Sequence, residues 1–416
     1  MFYCGPVASV EKQSFSASRA MPPLKRIAIV GGGPAGSFAA AELAQAGREV
    51  LLFDEKLAWE KPCGGALTDK AIAHWPFLRD ASVERNWTRD CELIAPSGRR
   101  VSFHLDREIA IFSRLVLNDL MLERARAAGA QVRHERILKI DGSVGNWNLQ
   151  SASGSHSANF VVLAAGARNP FRSQFSQPLG PENFMVAAGY YILGTGHTVK
   201  IKFLKGLHGY IWIFPRADHF SAGICGRMKG KSTGELRRLL EKCLPEFNLG
   251  LEGARFYAHI IPSLTVSALQ SVPFFGPGWA MVGDAAGFVD AITGEGLFYA
   301  LRSAELLSHC VLQESPESYP ALVKEDFLTE LGCAARIANR FYSGDWMGGA
   351  VIERMVQLTA LSARFREMMR DLFAGVQEYS GLKERLYRSL PRIAAEAFIS
   401  TVRQQPDRPL LPKPSA

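Results

Sequence analysis

Short apolar runs and helical periods alternate along the first third of the chain. Arg26 to Val30 (RIAIV) is apolar and β-branched, the pattern of a strand buried on both faces. GGGPAGSFAAAELAQAG follows, a glycine turn and an Ala-rich helix that stops at Gly47. Glu49 to Phe53 (EVLLF) is a second buried strand, closed by Asp54 and Glu55. These pieces make one βαβ unit in about 30 residues. The alternation continues with a helical period over Leu115 to Ala128, a strand in QVRHERILKI, and a buried strand from Ser157 to Ala165 that reaches Gly166.

Two other stretches differ. Around residues 90–105 and 185–225, polar and apolar positions alternate and aromatics are frequent (YYILGTG, VKIKFL, YIWIFPR), which predicts antiparallel strands joined by turns. From about 317 to 400 the period is helical, with Val351, Met355, Leu358 and Leu361 on one stripe. Such a stripe over 348–374 fits a core-facing helix, and alternatively a peripheral contact with a membrane surface.

The predicted fold is α/β locally and α+β overall: a Rossmann-like dinucleotide domain, an inserted antiparallel β-sheet substrate domain and a helical C-terminal region. The boundaries drawn are 25–75, 106–175 and 272–312 for the discontinuous dinucleotide domain. The sheet domain takes 76–105 and 176–271, the helical region 313–405. Residues 1–24 read as a disordered or overcalled start, and 406–416 as a Pro-rich tail.

Composition narrows the function classes. The 416 residues are 47% hydrophobic and 21% charged, ordinary for a globular protein. The formal net charge of +8 favours anionic partners, but the basic residues are scattered and no nucleic-acid module is visible. The seven cysteines (Cys4, Cys63, Cys91, Cys225, Cys243, Cys310, Cys333) show no CxxC spacing, so no metal site is expected. An odd, unpatterned set fits a reducing, cytoplasmic setting. No apolar run is long enough for a membrane-spanning helix.

The glycine turn carries the first chemistry. Three glycines at GxGxxG spacing are weak alone, but here a strand precedes them, a helix follows and an acid closes the next strand. Gly31 permits the tight turn, Gly33 lets backbone approach a pyrophosphate, and Gly36 lets helix and strand pack closely. The helix start, with Pro34 and Ala35, offers unpaired N–H groups to phosphate. Asp54 or Glu55 accepts from the ribose hydroxyls; Asp54, at the strand end, is favoured.

A second glycine-rich segment separates the possible dinucleotides. WAMVGDAAGFVDAITGEGLFYALRSAE (279–305) places Gly283 and Asp284 at a strand end, then Gly294, Glu295, Gly296 and Leu297 at the opening of a helix. A carboxylate there can accept from a ribityl chain, and a helix N-terminus can stabilise the anionic pyrimidine edge of a reduced flavin. The plainer alternative for Asp284 is a helix cap.

With GGGPAG, Arg114 in SRLVLNDLMLERA, and GDAAGFVDAITGEGLFYALRS, the chain resembles the FAD-dependent oxidoreductases of the para-hydroxybenzoate hydroxylase superfamily over residues 25–310. KPCGGAL (61–67) and YIWIFP (210–215) are similar to its geranylgeranyl reductase branch. The resemblance implies that Arg114 touches FAD and that Cys63, Gly64 and Gly65 lie against the isoalloxazine. It implies that Asp284 binds the ribityl or pyrophosphate part, that Gly294 to Gly296 face the ring, and that Tyr210, Trp212, Phe214 and Pro215 line the substrate cavity. Three positions depart from the pattern: Ala165-Gly166 stands where hydroxylases carry Asp-Gly, Ala291 replaces a proline, and Cys225 replaces the second glycine of a GxG.

The implied reaction is hydride transfer from reduced FAD to a C=C bond of a small apolar, prenyl-type substrate, with a proton delivered to the neighbouring carbon. Tyr210 and Cys63 are the candidate catalytic residues for that proton. Cys63 fits packing against the flavin equally well, and an aromatic stripe fits a core. No second dinucleotide turn is present, so NAD(P)H would dock transiently, or a ferredoxin-like protein would supply the electrons. The alternative is a FAD-dependent monooxygenase, hydroxylase or halogenase; a halogenase would show WxWxIP rather than YIWIFP. An electron-transfer flavoprotein and a flavin-binding scaffold are further classes.

Overall fold

The computed structural model describes residues 24–346 and 349–403. The readings made for the chain start, for Cys4 and for the 406–416 tail fall outside these residues.

The RIAIV run forms β1 (Arg26–Val30), the glycine turn opens α1 (Pro34–Gln45), and β2 (Glu49–Asp54) lies parallel to β1. Proline at the first helical position and Gly47 at φ +82° after the last turn bound α1, as helix-end chemistry dictates. Phe160–Leu163 pairs with the other side of β1, Trp279–Met281 pairs with Phe160–Leu163, and Gln131–His134 lies beside β2, all in parallel. A short antiparallel strand, Phe275–Gly276, completes a six-stranded sheet. The alanine-rich α1 packs between the helices Arg114–Ala127 and Leu297–Leu312, its small side chains permitting close approach on both flanks.

Two strand expectations change here. QVRHERILKI is two strands, because Ile137–Ser143 turns away to form a three-stranded antiparallel sheet with Asn146–Ser151 and Gly154–Ala158. The run from 157 likewise divides at Asn159, whose side chain accepts from the Arg26 N–H at 3.0 Å. Each break falls on polar residues, Glu135 and Arg136 in the first run and Asn159 in the second.

The second large sheet has eight strands and is mixed rather than wholly antiparallel. Asn86–Ile94 pairs in parallel with Thr198–Lys202, and this pair joins the hairpin to residue 111 with the strands after 184. Alternation along a strand reports which face is buried and says nothing about the direction of its neighbour. On one face Ile211, Ile213, Ala222 and Ile224 pack under the helix Thr233–Cys243, which begins with a Ser232–Glu235 capping box. The opposite face carries Trp212, Tyr257 and Cys225.

The C-terminal helices close over this sheet. Ile352, Met355, Val356, Phe365 and Met369 are buried against Leu93, Phe103 and Val199; of the predicted stripe Met355 is buried and Val351, Leu358 and Leu361 are half-buried, because the core-facing side is centred one residue away. No helix among the described residues is long and apolar enough to cross a membrane.

Candidate functional site: a groove that continues into an apolar chamber

A cavity of about 470 Å³ runs from the glycine turn, between the two sheets, to the underside of the C-terminal helices. Its floor is the turn itself. Gly31 sits at φ +112°, and a Cβ there would lie 2.4 Å from the Ala164 carbonyl oxygen. A Cβ on Gly36 would lie 1.9 Å from the Gly31 oxygen, so Gly36 seats α1 on the turn rather than lining the cavity. A Cβ on Gly33 would meet nothing within 4 Å. That open space, at a helix N-terminus, suits a pyrophosphate.

Asp54 lines the cavity and holds its own loop. Its carboxylate accepts from Gly32 N–H at 2.6 Å and from Lys56 and Leu57 N–H at 2.7 Å. With about four acceptor sites on a carboxylate, one remains for a ribose hydroxyl. Glu55 lies outside the cavity lining and is paired with Arg136 at 3.6 Å.

Midway along, Lys61 donates to Asp284 at 2.8 Å, with both side chains about four-fifths covered. Burial pushes the Asp284 carboxyl up, but Lys61, then Arg114, outweigh it and hold the group below the usual aspartate range. Arg114 is buried and its guanidinium donates to Asn118 at 3.1 and 3.3 Å. Gly283 turns at φ +57° against Ala35 and Ala300 and is structural, outside the lining. Gly166 lines the cavity beside Lys61.

Cys63, Gly64 and Gly65 form a loop pressed on the second sheet. A Cβ on Gly64 would lie 2.7 Å from the Phe214 ring, and one on Gly65, at φ +87°, would lie 2.0 Å from the Phe112 oxygen. The half-buried Cys63 sulfur accepts from Gly65 N–H at 3.3 Å. Across the cavity Gly294, Glu295, Gly296 and Leu297 line the opposite wall. Their turn is held by Asp290, which accepts from Ile292 and Thr293 N–H at 2.7 and 2.8 Å. Tyr210 and Tyr342 donate to the carbonyls of Thr293 and Ile292 in the same turn. Burial holds the Tyr210 phenol far above its ordinary pKa, hence protonated. Ala291 lies in a small cluster with Ala334 and Ala338 of the helix Thr329–Ser343.

Tyr210, Trp212 and Phe214 share the cavity side of one strand, as their alternation predicts, although the strand itself is Ile211–Pro215. Pro215 is buried outside the lining. A Cβ on Gly223 would lie 2.2 Å from the Trp212 ring, so that glycine makes room for the indole; Cys225 is buried against the same face. Beyond these aromatics the walls are Phe203, Val199, Ile337, Met355, Met369 and Leu372, all apolar.

Arg168 and His259 carry no sequence signal of their own, and Lys61 only its place at the start of KPCGGAL. Lys61, Arg168 and His259 join Arg114 along the cavity, and burial, then Lys61, push His259 down to about 4. His208 is also pushed down to about 4, by burial and then Arg227. The unfolded chain takes up protons from pH 6.5 downward that these native imidazoles refuse, so acidification through that window removes stability. Burial, then Asp290, push Glu295 up to about 7, and that group acts in the opposite direction. We expect His259→Gln in the cofactor-free chain to reduce the stability lost between pH 7 and pH 5 by about 1 kcal/mol, a figure lowered for solvent screening. Urea titrations at the two pH values measure it; an unchanged difference contradicts the assignment.

Comparison with known proteins agrees with this geometry. Residues 29–72 match the NAD(P)-binding Rossmann-like domain family. The geranylgeranyl diphosphate reductase of Arabidopsis thaliana chloroplasts is 28% identical over 338 residues, 72% of this chain and 69% of that protein. The geranylgeranyl diphosphate reductase of Synechocystis sp. is 28% identical over 330 residues, 70% of this chain and 76% of the relative. A geranylgeranyl bacteriochlorophyll reductase-like structure from Thermoplasma acidophilum superposes with a TM-score of 0.75 at 18% identity, covering 90% of this chain and 98% of the other. Two glycine-rich turns around one groove, with an apolar chamber beyond, define a FAD-dependent oxidoreductase. Within that class the relatives it resembles over about 70% of its length are geranylgeranyl diphosphate reductases.

Proposed function

We propose that this oxidoreductase reduces carbon–carbon double bonds of a long isoprenoid. The observation that carries the reading is the continuity of one cavity from the cofactor groove to an end walled mainly by Phe203, Val199, Ile337, Met355, Met369 and Leu372. Each buried five-carbon unit contributes roughly 3–4 kcal/mol, so a prenyl chain binds there with few polar contacts.

In this reading Gly31, Gly33, Pro34, Ala35 and Asp54 hold the ADP half of FAD, and Arg114 and Asp284 meet its middle. Cys63 to Gly65 and Gly294 to Leu297 enclose the ring, and the reduced cofactor supplies a hydride at that position. Tyr210 and Cys63 stand where the cofactor groove meets the chamber, and either X–H can deliver the proton. Tyr210 keeps its proton at neutral pH and donates it to the Thr293 carbonyl, so it must turn from that carbonyl to act as the acid. The electron donor is NAD(P)H or a ferredoxin-like protein, docking transiently, and the setting is cytoplasmic.

Mass spectrometry of products tests the reaction. Incubation of the holoenzyme with geranylgeranyl diphosphate, and either NADPH or reduced ferredoxin, should give about +2 Da per reduced bond. A product about 16 Da heavier, dependent on O2, would replace the reductase reading with the monooxygenase one.

A further inference from the structure

An ion pair is buried directly behind the cysteine loop. Arg216 is 1% exposed and Glu60 12%, and their side chains meet at 2.6 Å. The second guanidinium nitrogen donates to the Cys63 carbonyl at 2.8 Å, and Ser221 donates to the same oxygen at 2.9 Å. The Tyr191 ring lies under the guanidinium at 5.0 Å. Glu60 also accepts from the Ser113 hydroxyl and from the Arg114 N–H at 2.9 Å, the first turn of the helix that carries Arg114. Burial pushes the Glu60 carboxyl up, but Arg216 and the Ser113 and Arg114 hydrogen bonds together hold it below the usual glutamate range, so the pair is charged.

Arg216 therefore belongs to the substrate sheet, Glu60 to the segment entering the loop, and the Arg114 helix to the dinucleotide domain. One planar fork ties the three together. The loop has few anchors of its own: two of its residues are glycines, and its other backbone ties are the Gly65 N–H to Cys63 sulfur bond at 3.3 Å and the Phe112 N–H to Gly65 oxygen bond at 2.9 Å.

We propose that Arg216 is a positioning residue, which through Glu60 and the Cys63 carbonyl fixes the Cys63–Gly65 loop between the cofactor groove and the apolar chamber. Its effect on turnover rests on the reductase reading; its effect on the loop does not. Lysine cannot replace it, since a single ammonium lacks the fork needed to serve a carboxylate and a carbonyl at once.

The test uses the holoenzyme and the cofactor-free chain, both carrying Cys333→Ser so that Cys63 is the partly exposed thiol among the described residues. Iodoacetamide labelling of Cys63, mapped by peptide mass, reads the loop directly. Arg216→Lys should raise the labelling rate about tenfold in both forms, matching the loss of a charge-assisted hydrogen bond. It should also shift the visible spectrum of bound flavin and lower kcat about tenfold or more, with KM within about threefold. Ser221→Ala, which removes the neutral donor to the same carbonyl, should move labelling in the same direction by less. Lys202→Gln, which breaks the remote Lys202–Glu246 pair, should change thermal stability alone. Unchanged labelling and spectrum in Arg216→Lys and Ser221→Ala overturn the proposal even where prenyl reduction is observed. Faster labelling without any prenyl reduction keeps the positioning role and removes the substrate reading instead.

Discussion

Gly36→Val leaves the purified chain without flavin. The added side chain begins 1.9 Å from the Gly31 oxygen and 3.0 Å from the Ala164 Cβ, and neither neighbour is a flexible side-chain tip. To relieve the clash, α1 must lift off the turn, and the N–H groups at its first residues leave their positions around the phosphates. Overpacking costs about 1–3 kcal/mol in a yielding core, and backbone yields least. Gly33→Ala is the contrasting variant. Its methyl meets no protein atom, so the chain keeps its wild-type melting temperature when free of cofactor, yet the methyl intrudes where the pyrophosphate must approach. Absorbance of bound flavin, with thermal melts of the cofactor-free chains, separates the two. Full flavin content in Gly36→Val contradicts the role assigned to that glycine.

Lys61→Met should cost the cofactor-free chain about 3 kcal/mol, the low end for removing one member of a buried pair. Asp284 is left facing Arg114 and His259 without its closest cation, and its pKa rises. The double variant Lys61→Met/Asp284→Asn should recover most of the loss, because the uncompensated charge goes with the pair. Chemical denaturation of the unsubstituted chain, the two single variants Lys61→Met and Asp284→Asn, and the double variant gives the coupling directly; additive losses would show that Lys61 and Asp284 are independent. Flavin affinity should stay low in Lys61→Met and in the double variant, which distinguishes restored folding from a restored site.

Local patterns were the legible part of this sequence. The strand–turn–helix around Gly31 and the preference for Asp54 over Glu55 depend on neighbours within about 30 residues, and the cavity takes in the first acid and leaves out the second. The period-2 spacing of Tyr210, Trp212 and Phe214 correctly gave a shared face. Pairings across the fold were not legible. Lys61 and Asp284 are 223 residues apart, and Arg216 and Glu60 are 156 apart. Arginine is a surface residue by composition, so nothing marks Arg216 as one of the most deeply buried side chains except its place immediately after YIWIFP. The parallel pairing of Asn86–Ile94 with Thr198–Lys202 is equally invisible, since the same alternation serves either strand direction.

The order of the six-stranded sheet also bears on how the chain is made. β1 is flanked by β2 and by Phe160–Leu163, and the next position outward is filled by Trp279–Met281. During synthesis the first βαβ unit emerges early with one edge of its central strand bare. At about 5–20 residues per second, Phe160–Leu163, the partner of that bare edge, follows β2 by roughly five to twenty seconds. For that interval RIAIV and EVLLF present long-range parallel pairing sites without their partners, the type of contact that forms slowly and attracts other chains. Synthesis rate and chaperone supply, more than the stability of the finished protein, will then set the yield of folded enzyme in a foreign host.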